Sequence, residues 1–468
     1  MTVAFVVYFL VVLVIALVAW WRTRDLGDYL LGGKRLGATT AALSAGASDM
    51  SGWLLLGLPG YAYLAGLEAV WLALALLLGS YLNWLLLAPQ LRQACSEHTE
   101  VLTLPDLFAR RAVSRQRVLR LVGALFIFTF YLIYTASGFV AGGKLFATVY
   151  GLDYQLALLI GAGVIVLYTF FGGFLAVVWT DVVQGLMMAA ALIALPLLVV
   201  CDGQLARDGA GQQWLQFWPR EGDGTIAWIT LCSSLAWGLG YFGQPHILAR
   251  FMALGSSASV GRARRIATSW TAVCLTGAIA VGLAGQSVLG PELADAETVF
   301  MRLVEVLLHP LVAGVLLAAI LAAIMSTADS QLLVASSVLS EDLCRGLWPE
   351  RFTPGQLLWI GRLAVVLLAG VALAIAWSGH SAVLDLVGYA WAGFGASLGP
   401  AVLYCVYARR VSGSALLAGM LAGGLTVLVW GRLEGGLFDL YEMVPGVLAG
   451  SAAIILVHRL GQQRTACA

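Results

Sequence analysis

The chain has 468 residues, 61% of them hydrophobic and 11% charged, with a formal net charge of +1 and a mean hydropathy of +0.91. An ordinary soluble domain carries roughly 25% charged residues, so this composition excludes a soluble enzyme or binding module and defines a polytopic all-α membrane protein. The near-zero net charge argues against nucleic acid as a partner. Apolar runs of about 20 residues suit spanning helices, whereas barrel strands alternate over roughly 10 residues. Seven cysteines without a CxxC pair read as apolar filling, and five histidines without close spacing give no metal site.

In chain order, thirteen apolar spans begin near residues 2, 36, 68, 119, 154, 173, 225, 265, 310, 358, 382, 414 and 441. The first, residues 3–21, has neither a basic leader nor a small-residue cleavage site and reads as a retained span. With the N-terminus outside, only Lys144, Arg207, Arg220, Arg302 and Arg432 of the 26 lysines and arginines fall outside, leaving 21 inside. The positive-inside rule therefore predicts an outer N-terminus and a cytoplasmic C-terminus. The longest loops, residues 201–225 outside and 92–116 inside, are too short for a soluble domain. Residues 1–460 are expected to form a single transmembrane domain, with 461–468 a short cytoplasmic tail that leaves no regulatory extension.

Span two carries SAGASDMSGW at 44–53, small and hydroxyl residues around one aspartate inside an apolar stretch. A carboxylate at bilayer depth is costly unless it faces a wet cavity or the bundle interior, so Asp49 marks a candidate solute or ion site. Gly46, Gly52, Gly57, Pro59 and Gly60 allow the helix to break there, and irregular backbone at that depth survives only where protein or a cavity satisfies it. Asp49 could alternatively serve as a cap at the break.

Span six holds a second intramembrane carboxylate, Asp181, in VVWTDVVQ. Span seven contains WGLGYFGQPHILAR at 237–250, where Pro245 removes one backbone donor and crowds the carbonyl of Tyr241, predicting a kink. The interrupted spans two and seven are five apart and so cross in opposite directions, the signature of an inverted repeat with its site where the breaks meet. The repeats would cover 36–202 and 225–431. No residue-level identity links the halves.

Span nine sets Ala318, Ala319, Ala322, Ala323, Ser326 and Thr327 on one face, a stripe that lets helices approach closely. Its ending, MSTADSQLL at 325–333, brings the oxygens of Ser326, Thr327, Asp329 and Ser330 to the inner half of a buried helix. Oxygen-only ligands suit a hard cation such as Na⁺.

SAGASDMSGWLLLGLPG, YTASGFVAGGKLF, FFGGFLAVVWTDVVQ, WGLGYFGQPHILARFMA, MSTADSQLL and YAWAGFGASLGP together closely resemble the solute:sodium symporter family, over about residues 28–456. The resemblance implies a 5+5 inverted-repeat core of ten helices like the leucine transporter, with one extra helix before it and two after. It further implies Na⁺-coupled import of L-proline, with no protein partner and no catalysis. The sodium ion would be held by the carbonyls of Ala47, Met50 and Ala323 and the hydroxyls of Ser326 and Thr327. Asp49 resembles the family's sodium-coupling aspartate. Substrate contacts would come from Ser51, Gly52, Tyr134, Trp237, Tyr241, Gln244 and Pro245, with the two aromatics of span seven as an apolar wall and a cation–π face. Some relatives place a further sodium ion near Asp181, making Asp181 with Ser326 a candidate second cation site. The other roles for Asp181 are a structural hydrogen bond or a gate pair with a cytoplasmic arginine. Asp329 departs from the pattern of the family's proline carriers. Another small amino acid or a carboxylate as solute, H⁺ as the coupling ion, and a transporter-like sensor are the alternatives.

Overall fold

The computed structural model describes residues 1–22, 26–97, 100–171, 173–201, 216–348, 350–379 and 381–466. Most of the 201–225 loop, with Arg207, and the end of the C-terminal tail lie outside the described residues. The described residues are predominantly helical, and extended pairing among them is confined to isolated bridges such as Leu36 with Leu254. Ten helices among the described residues are long and apolar enough to cross a membrane.

The helices follow one another as α1 (Thr2–Arg22), α2 (Ala38–Asp49), α3 (Gly57–Ala65), α4 (Ala69–Leu82), α5 (Gln116–Tyr150), α6 (Tyr154–Phe171) and α7 (Phe174–Cys201). They continue as α8 (Trp228–Ala236), α9 (Pro245–Ala253), α10 (Val260–Leu289), α11 (Pro310–Ser337), α12 (Pro354–Ala376), α13 (Val383–Tyr407), α14 (Gly413–Trp430) and α15 (Met443–Ala466). α2 and α3 are the two parts of one interrupted segment, and α8 and α9 of another.

Burial sorts these helices into layers. In the spanning windows of α11 and α13, 83% of residues are buried, against 28% for α1 and 22% for α15. α11 and α13 are therefore interior elements, while α1 and α15 turn apolar side chains such as Val3, Leu10 and Leu456 outward, as a lipid-facing rim requires. The small stripe on α11 does what its spacing predicts: Ala318, Ala319, Ala322 and Ala323 are all buried where α11 packs on α2, α5 and α7.

Span seven departs from expectation in kind. Pro245 does not kink a continuous helix; it sits at the first turn of α9, where a missing backbone donor costs nothing because that N–H would have no helical partner. The chain ahead of it, Trp237–Gly243, is wound as a tighter 3₁₀ helix, and Gln244 is extended (φ −81°, ψ 105°). The glycines are required by close approach rather than by looseness. A Cβ on Gly238 would lie 2.4 Å from the Ala75 carbonyl oxygen of α4, and one on Gly240 would lie 2.0 Å from Nε1 of Trp391.

Candidate functional site

α2 ends at a break that the sequence around Asp49 anticipates. Met50 leaves the helical region (φ −88°, ψ 82°) while its N–H still bonds to the Gly46 carbonyl, and Ser51 is extended and caps the next short turn, accepting from the Trp53 N–H at 3.4 Å. A helix that stops inside a protein strands its last carbonyls, which must find other partners. The Ala47 carbonyl accepts from the Ser326 hydroxyl at 2.8 Å. The Asp49 carbonyl accepts from the Trp53 indole and the Tyr134 hydroxyl, each at 3.2 Å.

Ser326 is the point of convergence of the expected sodium ligands. Its hydroxyl also lies 3.0 Å from the Ala323 carbonyl, so three oxygens from α2 and α11 meet within hydrogen-bonding distance. Next to it, Thr327 is 2% exposed and its hydroxyl has no hydrogen-bond partner. Met50, the non-helical residue at the break, is fully buried. A cluster of neutral oxygens with one hydroxyl to spare fits a small monovalent cation, and the C-terminal end of α2 turns its negative dipole end toward it.

The Asp49 side chain points elsewhere. Its Oδ2 accepts from the Tyr241 hydroxyl at 2.6 Å, which ties α2 to the interrupted 237–243 segment, and its Oδ1 has no partner. The expected substrate residues gather around this tie: Ser51, Tyr134, Tyr241 and Gln244 are each at most 2% exposed, and Pro245 is buried beside them. Gln244 donates to the carbonyls of Gly240 and Trp391 at 3.2 and 3.4 Å, leaving its own carbonyl oxygen unpartnered. Gly52 packs against Ala141 and Ile324, so closely that a Cβ there would lie 2.8 Å from the Ala141 Cβ. Trp237 stands apart from this cluster, half-buried at the floor of a cavity of about 490 Å³ that also includes Asp385, Tyr441 and Glu442. Its ring stacks on Tyr441 with centroids 5.4 Å apart.

Asp181 is paired with Arg250, not with Ser326. Both side chains are fully buried, and the guanidinium reaches Asp181 Oδ2 at 3.0 Å, Ser330 at 2.6 Å, Ser44 at 3.1 Å and the His246 carbonyl at 2.9 Å. Ser44 donates to the same carboxylate oxygen at 2.6 Å. In this arrangement Asp181 forms a buried ion pair with an arginine through Oδ2, while its Oδ1 has no hydrogen-bond partner. Ser330 donates to the Ser326 carbonyl at 2.7 Å and receives Arg250, so it joins the ion pair to the Ser326 cluster.

Two residues of the site went unnoticed in the sequence. Arg250 reads there as an ordinary inner-surface charge, and nothing local marks it as buried. Trp391 sits within the glycine-rich YAWAGFGASLGP block; its indole donates to the Trp237 carbonyl at 2.8 Å and its ring meets Tyr241 edge-on with centroids 5.1 Å apart. A tryptophan in the middle of a spanning helix, away from the interfacial belts, was the available signal.

An all-helical membrane protein with two interrupted helices, freed carbonyls and buried hydroxyls at the breaks has the form of a small-solute transporter. The chain matches the sodium:solute symporter family over residues 29–423 and belongs to it. It is 45% identical to the sodium/proline symporter of Escherichia coli K12, covering 100% of this chain and 94% of that protein. It is 44% identical to the high-affinity proline transporter PutP of Bacillus subtilis, covering 96% of each. Among solved structures, a Na⁺-coupled sialic acid symporter superposes with a TM-score of 0.77 at 17% identity, covering 97% of both chains. MhsT in complex with L-phenylalanine superposes with a TM-score of 0.51 at 15% identity, covering 91% of this chain and 98% of that one. These two likenesses bear on the fold alone.

Proposed function

We propose that this chain is a Na⁺-coupled secondary active symporter that imports L-proline by alternating access. The observation that carries the reading is the meeting of the Ala47 and Ala323 carbonyls on the Ser326 hydroxyl beside the unpartnered Thr327 hydroxyl, at the break of α2. The relatives named as proline transporters, 43–45% identical over nearly the whole chain, supply the solute.

In this reading Ala47, Met50, Ala323, Ser326 and Thr327 hold the sodium ion and Asp49 organises the break between ion and solute. Proline offers a carboxylate, a secondary ammonium and a compact ring. Ser51 and Gly52 face one polar end, while Tyr134, Tyr241, Gln244 and Pro245 form the pocket and Trp237 its outer wall. Asp181 accepts a second cation only in a conformation in which Arg250 has swung away.

The single transporter domain of residues 1–460 crosses the membrane thirteen times, the interrupted segments counting as one crossing each. Residues 36–202 and 225–431 form the two oppositely oriented repeats, and the N-terminus lies outside and the C-terminus in the cytoplasm of a bacterial inner membrane. Sodium binding completes the pocket from the outer side, and rocking of the repeats, which parts Arg250 from Asp181, releases both ligands inward. For one Na⁺ per solute, a potential of about 100 mV contributes roughly 2.3 kcal/mol and a tenfold sodium gradient about 1.4 kcal/mol. The sum of about 3.7 kcal/mol supports several-hundredfold accumulation.

The test is uptake of radiolabelled L-proline into liposomes containing only this protein, driven by an inward sodium gradient. Uptake that collapses when choline replaces sodium, and that unlabelled proline competes away, is the expected result. Uptake indifferent to sodium but driven by a proton gradient would overturn the coupling ion, and failure of proline to compete would overturn the solute.

A further inference from the structure

Beside the Asp49–Tyr241 pair lies a small polar compartment that none of the proposed sodium ligands lines. It is walled by α2, α4, α9, α10 and Tyr241 of the tight 237–243 segment, and it offers about 10 Å³ of room for the centre of a water molecule. That is close to the ~10–15 Å³ that one buried water requires. Its polar lining is Asp49, Ser80, Asn83, Tyr241 and Thr271. Three polar atoms there are left without partners: Oδ1 of Asp49 and both Oδ1 and Nδ2 of Asn83. Asp49 is 2% exposed and Asn83 not at all.

Asn83 is placed with some local effort. The helix widens as it leaves α4, so that the Ala88 N–H reaches back five residues to the Asn83 carbonyl rather than the usual four. Single wide turns of this kind are rare inside helices and concentrate at functional positions. A fully buried amide with neither its donor nor its acceptor matched is otherwise a pure cost, and so is a carboxylate oxygen with no donor.

We propose that this compartment binds one ordered water, which accepts a hydrogen bond from Nδ2 of Asn83 and donates one to Oδ1 of Asp49, making Asn83 a positioning residue for the coupling carboxylate. Water suits both groups, accepting from the amide and donating to the carboxylate, whereas a sodium ion on the Asp49 oxygen would leave the amide N–H groups unmatched. Tyr241 fixes one oxygen of Asp49 from the interrupted 237–243 segment, and Asn83 fixes the other from the wide turn that follows α4. Asp49 is thereby held from both repeats at once, by Tyr241 of the second and by Asn83 of the first. The inference rests on the reading that Asp49 supports sodium coupling.

The experiment uses the full chain in two forms, reconstituted for sodium-activated proline uptake and purified in detergent for thermal stabilisation by NaCl against choline chloride. Asn83→Leu keeps the bulk and removes both polar atoms. The sodium concentration for half-activation and that for half-stabilisation should both rise about tenfold or more, while the proline KM at saturating sodium moves by less than about threefold. Asn83→Asp, which replaces the donor by an oxygen and keeps the shape, should shift sodium in the same direction should the leucine variant fail to fold. Asn83→Ser, with a hydroxyl and room for added water, should recover most of the loss. Combined with Asp49→Asn, the leucine change should add nothing further to the sodium-stabilisation midpoint. Sodium midpoints for Asn83→Leu or Asn83→Asp that match the unsubstituted protein would overturn the water link, as would full additivity with Asp49→Asn. If Asp49→Ala itself retained ordinary sodium activation, the coupling reading would fall first; if Asp49→Ala lost it and the Asn83 variants did not, only the water link would fall.

Discussion

The Tyr241 hydroxyl donates to Oδ2 of Asp49 at 2.6 Å across 192 residues of sequence, joining the two interrupted segments through a buried hydrogen bond at their breaks. A hydrogen bond to a charged acceptor in such a place contributes about 1.5–3 kcal/mol. Tyr241→Phe keeps the ring against Trp391 and removes only the donor. The half-activating sodium concentration should rise by about tenfold to a hundredfold, the equivalent of that energy, with proline affinity at saturating sodium far less affected. Sodium titration of proline uptake in proteoliposomes reads both, and an equal loss in each would mean that the phenol serves the solute pocket instead.

The two hydroxyls of α11 are predicted to differ in what they do without sodium. Ser326 bridges the Ala47 and Ala323 carbonyls, so Ser326→Ala removes a link between α2 and α11 as well as a ligand. Thr327 has no partner to lose. Thr327→Val, nearly isosteric, should therefore leave the thermal stability in choline chloride unchanged within about 0.5 kcal/mol and weaken stabilisation by sodium. Ser326→Ala should lower stability in both salts by about 1 kcal/mol. Thermal unfolding of the purified variants in matched NaCl and choline chloride distinguishes the two patterns. Retention of full sodium stabilisation by Thr327→Val would remove that residue from the ion site.

Much of the helix layout was legible because a lipid environment leaves the sequence few options. Every backbone polar group has to be paired within the segment, so apolar runs of the right length become helices, and breaks fall where glycine, proline and polar residues cluster. The site was legible wherever a residue was conspicuous by type. Asp49, Ser326 and Thr327 stand out in apolar spans, and the break at Met50–Ser51 follows from the small residues around them. Which groups pair across space was not legible. Arg250 counts toward the inner surface in a one-dimensional reading, yet it is fully buried against Asp181 because Ser44, Ser330 and the His246 carbonyl take up its remaining donors. The role of Pro245 was missed in a similar way. Alone it predicts a kink, but with Gln244 extended ahead of it the same ring becomes the ordinary first residue of a new helix. Asn83 gave no signal at all, since its significance lies in the absence of any protein partner.

The Arg250–Asp181 pair makes a prediction with a definite sign. Removing one member of a fully buried ion pair leaves the other charged and unmatched, a loss of about 3–5 kcal/mol, whereas replacing both by apolar groups is often close to neutral. Asp181→Ala should therefore lower the thermal stability of the purified protein substantially, and the double change Asp181→Leu with Arg250→Met should recover most of it. The inner side should respond as well. With the guanidinium released from Asp181, a cysteine placed at Ser48 should react faster with a membrane-impermeant thiol reagent applied from the cytoplasmic face. If the double variant were less stable than either single one, the pair would not be the element holding this end together.

Gly240 and Trp391 pack against each other beside Tyr241, a residue of the proposed solute pocket. A Cβ at Gly240 would lie 2.0 Å from the indole nitrogen that donates to the Trp237 carbonyl, a separation that no side chain tolerates without displacement. Gly240→Ala should push the Trp391 ring off its bond and away from its edge-on contact with Tyr241, at a cost of about 1–3 kcal/mol in packing. Because Trp391 touches the segment proposed to face the solute and not the Ser326 cluster, the loss should fall on proline. Its KM should rise by about tenfold or more, the equivalent of at least 1.4 kcal/mol, with the half-activating sodium concentration little changed. Trp391→Phe separates the two contributions, since it removes the indole donor while leaving an aromatic ring beside Tyr241, and it should cost less than Gly240→Ala. Paired proline and sodium titrations on the two variants check this, and a sodium shift larger than the proline shift in Gly240→Ala would place Trp391 with the ion rather than the solute.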